Sequence, residues 1–296
     1  MDAGKPWTVE LLETEAFATV KLKSWADFGE FVREMQDLPD YIWRGQRCEN
    51  WPLEPSLDRL YVGKNKLRKI LANGTLNYFY KQQLERFQYA VRGRRGVNPP
   101  ALVDENDWWA LGQHHGLATP LLDWTKSPFV ALFFAFAEVD EGDQTPNRAV
   151  YALQKVRAQI LADAKAENEN SRRKAELQRR TESGEQLSGL DALLILKEAK
   201  PEVQFISPLS DENPRLVSQA GLFSRAPFGN PIDGWITDNH DPDGSSFTLI
   251  RILVPDKERE ECLQNLNRMN INHLSLFPDL FGAAQFCNLS AEIPNY

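Results

Sequence analysis

Hydrophobic residues recur at helical spacing in some stretches of the chain and alternate with polar residues in others. Ser24 can cap a helix over 24–37, whose apolar positions return every three or four residues. The same spacing predicts further helices at 65–95, with a break at Asn73-Gly74, and at 107–115, 128–138 and 257–269. Short runs of strand-forming residues predict strands or extended segments at 41–43, 117–123, 148–153, 203–206, 222–224 and 246–254, and 271–276 supplies a closing segment. The mixture predicts an α+β fold, in which a helix-rich N-terminal half packs on a small mixed or antiparallel sheet.

Two stretches depart from this average pattern. Segment 128–138 is apolar around nearly its whole circumference and follows Ser127-Pro128, a good cap and first-turn pair, so it predicts a central buried helix. Its apolar run is far shorter than the roughly 20 residues that span a bilayer. Segment 155–200 is instead charged and poor in aromatic residues, which predicts an inserted helical arm and a candidate surface for a partner.

The predicted organisation therefore has four parts. Residues 1–23 form an N-terminal extension and 24–154 the first part of the domain. The charged insertion occupies 155–200, and 201–296 complete the domain.

Composition and charge narrow the class of protein. Hydrophobic residues make up 42% and aromatic residues 10% of the chain, which is typical of a folded globular protein. The formal net charge of −8 argues against a general nucleic-acid binder, although a local basic patch is permitted. The run Arg92–Arg95, close to Phe87 and Tyr89, is such a patch, and its alternative interpretation is a solvated face.

The three cysteines are widely spaced and 1–14 lacks a secretion signal, so a cytoplasmic location is predicted.

Polar residues stand in apolar surroundings at two places, 42–46 and 112–125, where burial costs free energy unless each group is hydrogen-bonded or binds a ligand. Together with 213–223 and 276–280, these segments resemble the FRG domain, which is named for an aromatic-Arg-Gly motif. The resemblance extends from about Ser24 to about Phe286. Within the second motif, this chain has Ala118 where the family usually has proline and Pro120 where it usually has arginine.

The resemblance implies, by a looser analogy, an ADP-ribosyltransferase-like core that uses NAD. Enzymes of that class place an arginine or histidine on a first strand against NAD, then a strand-borne Ser/Thr motif before an apolar helix, then a late glutamate. Arg44 resembles the first element, and Asp123-Trp124-Thr125 resembles the second. At the third position the chain offers Gln219 and no glutamate.

These parallels assign roles to named residues. The catalytic candidates are Arg44, Asp123, Thr125 and Gln219. The nucleotide-binding candidates are Trp43, Arg44, Gly45, Gln46, Thr119, Trp124, Thr125, Arg215 and Phe223. A planar guanidinium suits a pyrophosphate, aromatic rings can stack on a base, and a carboxylate stabilises an oxocarbenium-like cation.

Other interpretations remain open at this stage. Arg44 can instead form a structural ion pair with Asp123, and Asp123 and Thr125 can serve only as helix caps. A second functional hypothesis is a non-catalytic module that recognises a nucleotide, a nucleic acid or a protein. A metal-dependent hydrolase built on His114, His115 and Asp123 is disfavoured by the ligand spacing, so no metal is expected. If the chain is a transferase, the acceptor of ADP-ribose would be a protein or a nucleic acid. The resemblance also implies that the protein has a role in toxin action or antiphage defence.

Overall fold

The computed structural model describes most of the chain. The described residues are 5–11, 17–35, 41–64, 73–96, 98–99, 101–102, 104–139, 145–184, 188–189, 195, 197–207, 214–239 and 247–296. The strands are β1 (Trp7–Leu11), β2 (Phe17–Leu22), β3 (Tyr41–Gln46), β4 (Leu121–Thr125), β5 (Asn147–Gln154), β6 (Gln204–Ile206), β7 (Gly221–Arg225) and β8 (Leu249–Pro255). The helices before β6 are α1 (Phe28–Glu34), α2 (Ser56–Lys64), α3 (Asn73–Ala90), α4 (Glu105–His114), α5 (Pro128–Phe136) and α6 (Lys155–Glu182). Those after β6 are α7 (Pro214–Ser218), α8 (Ile232–Asp238), α9 (Arg259–Arg268), α10 (His273–Leu276) and α11 (Leu280–Glu292).

All eight of these strands belong to one mixed sheet, in the order β1-β2-β8-β5-β3-β4-β7-β6. Strands β2 and β8 pair in parallel, and the other neighbours are antiparallel. The α+β class is therefore confirmed, but the prediction of a small sheet is wrong. The difference arises largely because Trp7–Leu11 and Phe17–Leu22 form β1 and β2, where no strand was predicted, and β2 extends the sheet beside β8.

The sheet has a weak seam between β3 and β4. Strand β3 pairs with β5 along its whole length, from Tyr41 opposite Gln154 to Gln46 opposite Ala149. With β4 it shares the single pair Trp43–Thr125. The two strands therefore separate beyond this pair, which leaves room for side chains between them.

Helix α5 is the central helix that the sequence predicts. Its side chains are buried in the largest apolar cluster with residues of α1, α9, β5 and β8. Ser127 caps its start, where the Ser127 Oγ accepts from the Val130 amide at 3.3 Å. Two arginines satisfy carbonyls at its end: Arg148 Nη1 donates to Ala135 O at 3.3 Å and Arg259 Nε to Phe136 O at 2.8 Å. Both ends of this apolar helix thus have polar partners.

Two further apolar clusters complete the core. One lies between the sheet, the start of α6 and α8, and includes Ala158, Ala162 and Trp235. The other joins α2, α3 and α4 to one end of β4 and β7. Helix α6 begins the predicted arm, and its buried alanines at 158, 162 and 166 seat its first half against the domain. Among the described residues, no helix combines the length and the apolar character needed to cross a membrane.

Gly45 allows α5 to pack directly against β3. A Cβ built at this position would lie 1.9 Å from Ala131 O and 2.6 Å from Ala135 N, both backbone atoms of α5. At Gly29 in α1, the nearest atom to an added Cβ is Phe129 Cζ at 3.8 Å, an ordinary contact. The sequence predicts a place for Gly45 beside the ligand, whereas the backbone of α5 covers it in the structure.

We therefore expect Gly45→Ala to lower the free energy of unfolding by about 1–3 kcal/mol or more, because neither backbone can yield without moving α5. The matched control, Gly29→Ala, should leave stability unchanged or raise it by about 0.5–1 kcal/mol, since alanine favours a helix interior. Urea denaturation of both variants measures the difference. Equal stability of the two variants would contradict this account of Gly45.

Candidate functional site

A cleft of about 320 Å³ opens where β3 and β4 separate. Strand β3, helix α2, the end of α4, the turn that follows it and β4 supply its walls. The lining residues are Arg44, Ser56, Arg59, Gln113, Gly116, Leu117, Ala118, Leu121, Leu122 and Asp123. The volume is at the lower end of the roughly 300–1,000 Å³ common for ligand sites, enough for part of a dinucleotide.

Arg44 bridges the seam in the sheet at this cleft. Its Nη1 donates to the backbone carbonyl of Asp123 at 2.8 Å and lies 3.7 Å from the Asp123 carboxylate Oδ2. The carbonyl has no strand partner on this side because β3 has moved away, so the guanidinium replaces a missing sheet hydrogen bond. The predicted link between Arg44 and Asp123 is therefore present, and it involves both the backbone and the side chain.

The electrostatic environment of Arg44 is unusual for an arginine. Burial lowers the pKa of its guanidinium, Asp123 opposes that shift, and the nearby Arg59 adds to it. The Arg44 Nε is buried and has no hydrogen-bond partner among the described residues. Two cationic side chains therefore face one small cleft, in which a bound anion would relieve their repulsion.

A chain of side-chain hydrogen bonds orients Asp123. Gln113 Nε2 donates to Asp123 Oδ1 at 2.7 Å, and the Thr119 hydroxyl donates to Gln113 Oε1. Ser56 Oγ in turn accepts from the Thr119 amide at 3.1 Å. The Asp123 side chain is 62% exposed, so the carboxylate is held in position and is still open to the cleft. Thr119 itself is fully buried and acts through Gln113 rather than on a ligand directly.

The structure does not bring the predicted stacking rings to the cleft. Trp43 is buried on the face of β3 opposite Arg44, where it packs against Phe28. Trp124 is buried and donates from Nε1 to Ser224 Oγ at 2.7 Å. Phe223 is buried under α2 and α4. The stacking role predicted for these three rings is corrected, because protein atoms already cover them.

Gln46, a predicted nucleotide-binding residue, is also enclosed by protein atoms. It is buried, and its Nε2 donates to Pro52 O at 3.3 Å. Its Oε1 has no hydrogen-bond partner within the described part of the chain, and the residue does not line the cleft.

Thr125 and Gln219 contact each other outside the Arg44 cleft. The Thr125 hydroxyl donates to Gln219 O at 2.6 Å and accepts from the Ser127 amide at 3.0 Å. The Gln219 Nε2 donates to Leu276 O at 3.1 Å. These polar groups therefore join α7 and α10 to the start of α5, and neither residue lines the cleft.

Arg215 joins the last two motifs. Its Nε donates to Asp279 Oδ2 at 2.7 Å, and its guanidinium lies 5.2 Å from the ring centroids of both Phe277 and Phe281. His114 lies within electrostatic reach of this pair, since burial, His115 and Arg215 lower its pKa while Asp279 opposes the shift. All four sequence motifs thus connect through direct contacts, which the sequence could not establish.

Three polar residues of the cleft were missing from the predicted site. Ser56 and Arg59 lie one turn apart on α2, and Gln113 lies near the end of α4. Gln113 lies inside the motif at 112–125, so the sequence could have identified it as a site residue. The spacing of Ser56 and Arg59 indicates a shared helix face, but not that this face borders β3.

A larger cavity lacks this combination of groups. It has a volume of about 700 Å³ and lies beside β2 and β8, and its lining includes Lys21, Lys23 and Lys257 but no residue of the four motifs. In the described part of the chain, no group of three or more His, Cys, Asp or Glu side chains is arranged to hold a metal ion. The Arg44 cleft is therefore the candidate site.

A buried carboxyl next to the cleft makes stability depend on pH. Asp58 on α2 is 2% exposed, accepts a hydrogen bond from the Tyr80 hydroxyl, and has its pKa raised by burial to about 6. Between about pH 4 and 6 the folded state holds a proton that the unfolded state has lost, so stability falls as the pH rises. The loss amounts to at most about 3 kcal/mol for a shift of this size.

We expect Asp58→Asn to remove this contribution, so that the stability of the wild type relative to the variant declines between pH 4 and 6. Tyr80→Phe should extend the decline to higher pH, because the Tyr80 hydrogen bond lowers the Asp58 pKa. Urea denaturation across this range is the measurement. A difference that rises with pH would contradict the assignment.

The comparisons with known proteins bear on this site. The model of the FRG domain matches residues 39–144, a range that includes both Arg44 and Asp123. It contains β3, α2, the described parts of α3, α4, β4 and α5, and therefore every residue that lines the cleft. No curated protein and no solved structure matches the chain. The resemblance to the FRG domain that the sequence motifs indicate is thus confirmed over residues 39–144.

Proposed function

We propose that the Arg44 cleft binds a nucleotide through its phosphates, and that the nucleotide is NAD, from which the chain transfers ADP-ribose. The observation that carries the proposal is the pairing of two guanidiniums, Arg44 and Arg59, with one oriented carboxylate, Asp123, in a single cleft. A pyrophosphate supplies the negative charge that such a pair of arginines favours.

Arg44 and Arg59 would contribute unequally to binding. Arg44 is largely buried, with 17% of its side chain exposed, so its hydrogen bonds to an anion are protected from water. Arg59 is exposed and donates to Glu54 O at 2.7 Å. Its attraction for phosphate is therefore screened more strongly by solvent and salt.

Asp123 would supply the chemistry of the transfer. The bond between the ribose C1′ and the nicotinamide nitrogen breaks, and its electron pair leaves with nicotinamide, which becomes neutral. The ribose then carries oxocarbenium character, which a nearby carboxylate stabilises. An acceptor nucleophile adds at C1′ and loses its proton to solvent or to Asp123. Gln113 keeps the carboxylate in place during these steps.

A second function, recognition of a nucleotide without turnover, has its own supporting observation. The side chains of Thr125 and Gln219, two of the predicted catalytic residues, are used in internal hydrogen bonds. Of the described residues that line the cleft, Asp123 alone carries a carboxylate. A cytoplasmic location and a role in toxin action or antiphage defence stay predictions under either function.

Nucleotide binding is tested by calorimetry with NAD. We expect Arg44→Ala to weaken binding by about 10- to 100-fold, the value of one charge-assisted hydrogen bond to a buried group. Arg59→Ala should weaken it by a smaller factor. Arg268→Ala removes an exposed arginine of α9 and should leave binding unchanged. Thermal unfolding of Arg44→Lys and Arg44→Ala without NAD measures how much each variant loses in stability through the β3–β4 bridge. A loss of binding by a variant that keeps its stability is then due to the lost contact with NAD.

Transfer is tested by nicotinamide release from NAD with added protein or RNA acceptors. We expect Asp123→Asn to retain NAD binding but to lose at least about 100-fold in rate, because the amide cannot stabilise the cation. Binding of NAD by the wild type without any release would support the recognition function instead. Absence of both binding and release would refute the proposal.

A further inference from the structure

A second cavity, of about 560 Å³, lies on the other side of the turn that ends α4. It shares no residue with the Arg44 cleft, although His115 lines the cavity and the next residue, Gly116, lines the cleft. Its lining residues are Phe87, Val91, Arg94, Arg95, Leu111 and His115. None of these residues has a role in the proposed binding of NAD.

The cavity combines apolar walls with a cationic rim. Phe87 and Val91 lie one turn apart at the end of α3, Leu111 faces them from α4, and all three are partly exposed to solvent. Arg94 Nη1 donates to Ala90 O at 2.8 Å, which fixes this guanidinium at the helix end. Apolar walls of this kind suit a flat ring, and the rim suits an anion attached to that ring.

The charge around the cavity is opposite to that of the whole chain. Within 81–96 five residues are basic and Glu85 alone is acidic, a local charge of +4 in a protein with a net charge of −8. The basic residues are Lys81, Arg86, Arg92, Arg94 and Arg95. The dipole of a helix C-terminus accounts for one or two basic residues there. The remaining positive charge, beside a cavity, indicates an anionic ligand.

Aromatic rings, one exposed and one partly buried, accompany these arginines. Tyr89 is 70% exposed, and the Arg92 guanidinium lies 5.0 Å from its ring centroid. The Arg95 guanidinium lies 5.2 Å from the ring centroid of Trp108. Proteins bind single-stranded nucleic acids by combining aromatic rings, on which bases stack, with arginines that contact the phosphates. The bases of a single strand expose their faces, whereas those of a duplex are stacked on each other.

We propose that this surface, formed by the cavity and the end of α3, binds a single-stranded polynucleotide. One base would lie in the cavity against Phe87 and Leu111. The strand would then pass around the end of α3 and place a later base on Tyr89, which points away from the cavity because it lies two positions from Phe87 on the helix. Arg92 and Arg94 would contact the intervening phosphates. The proposal concerns a site separate from the Arg44 cleft and holds whether or not that cleft binds NAD.

The test is fluorescence anisotropy of the full chain with labelled oligonucleotides of about 12 nucleotides, in the range of single-strand binding sites. Single-stranded RNA, single-stranded DNA and a duplex form the three arms, without NAD. We expect binding to both single strands or to one of them, and the tighter arm identifies the sugar that is preferred. The logarithm of the affinity should fall with the logarithm of the salt concentration by about 0.7 for each phosphate contact.

Matched variants assign the binding to this surface. The double variant Arg92→Ala, Arg94→Ala should reduce the salt slope by about 1.4. Tyr89→Ala should weaken binding by about tenfold, the effect of losing one stacked base, while Tyr89→Phe should retain it. The control Lys174→Ala, Arg268→Ala removes the same charge elsewhere and should leave the affinity nearly unchanged. No binding at low salt, equal loss in the control, or duplex binding as tight as that of the single strands would overturn the proposal.

Discussion

The separation of β3 from β4 is the constraint on which the candidate site depends. Two antiparallel strands that share only the pair Trp43–Thr125 leave the Asp123 carbonyl without a strand partner. A strand carbonyl without a partner in the sheet needs another donor, and the Arg44 guanidinium donates to this one at 2.8 Å. The same separation opens the cleft. One break in the sheet thus explains why an arginine lies there, why it is largely buried, and why space remains beside it.

Helix α5 fixes the position of that break. It packs against β3 at Gly45 on the face opposite Arg44, and polar groups hold both of its ends. Arg148, with 3% of its side chain exposed, also pairs with Asp256 at 2.5 Å, which connects the end of α5 to the end of β8. The strand that carries Arg44 is therefore fixed from behind, so the guanidinium can be presented with little freedom of the backbone.

Sequence patterns predicted the elements with strong local signals and missed those that depend on distant partners. The apolar run and Ser127-Pro128 determined α5, and alternation determined β5. Strand β2 was missed because its pairing with β8 joins segments more than 200 residues apart, which no local pattern reveals. Helix α11 was missed as well, since its apolar and small residues form no clear stripe.

The candidate site shows the same division. Arg44 and Asp123 were predicted to act together, and they do lie together. The burial of Trp43 could have been inferred, because adjacent residues of a strand point to opposite faces. The contribution of Arg59 could not, since it depends on how α2 lies against the sheet. A helix was predicted over 65–95 with a break at Asn73-Gly74, and its part over 65–72 lies outside the described residues.

The double use of Arg44 has a consequence for how such sites change over evolutionary time. An arginine that completes a sheet is retained by selection for folding, even in a descendant that has lost its ligand. The more exposed Arg59 has no comparable structural duty at the seam. In a set of diverging descendants, variation at the position of Arg59 would therefore report loss of binding, whereas persistence of Arg44 would report only that the fold survives.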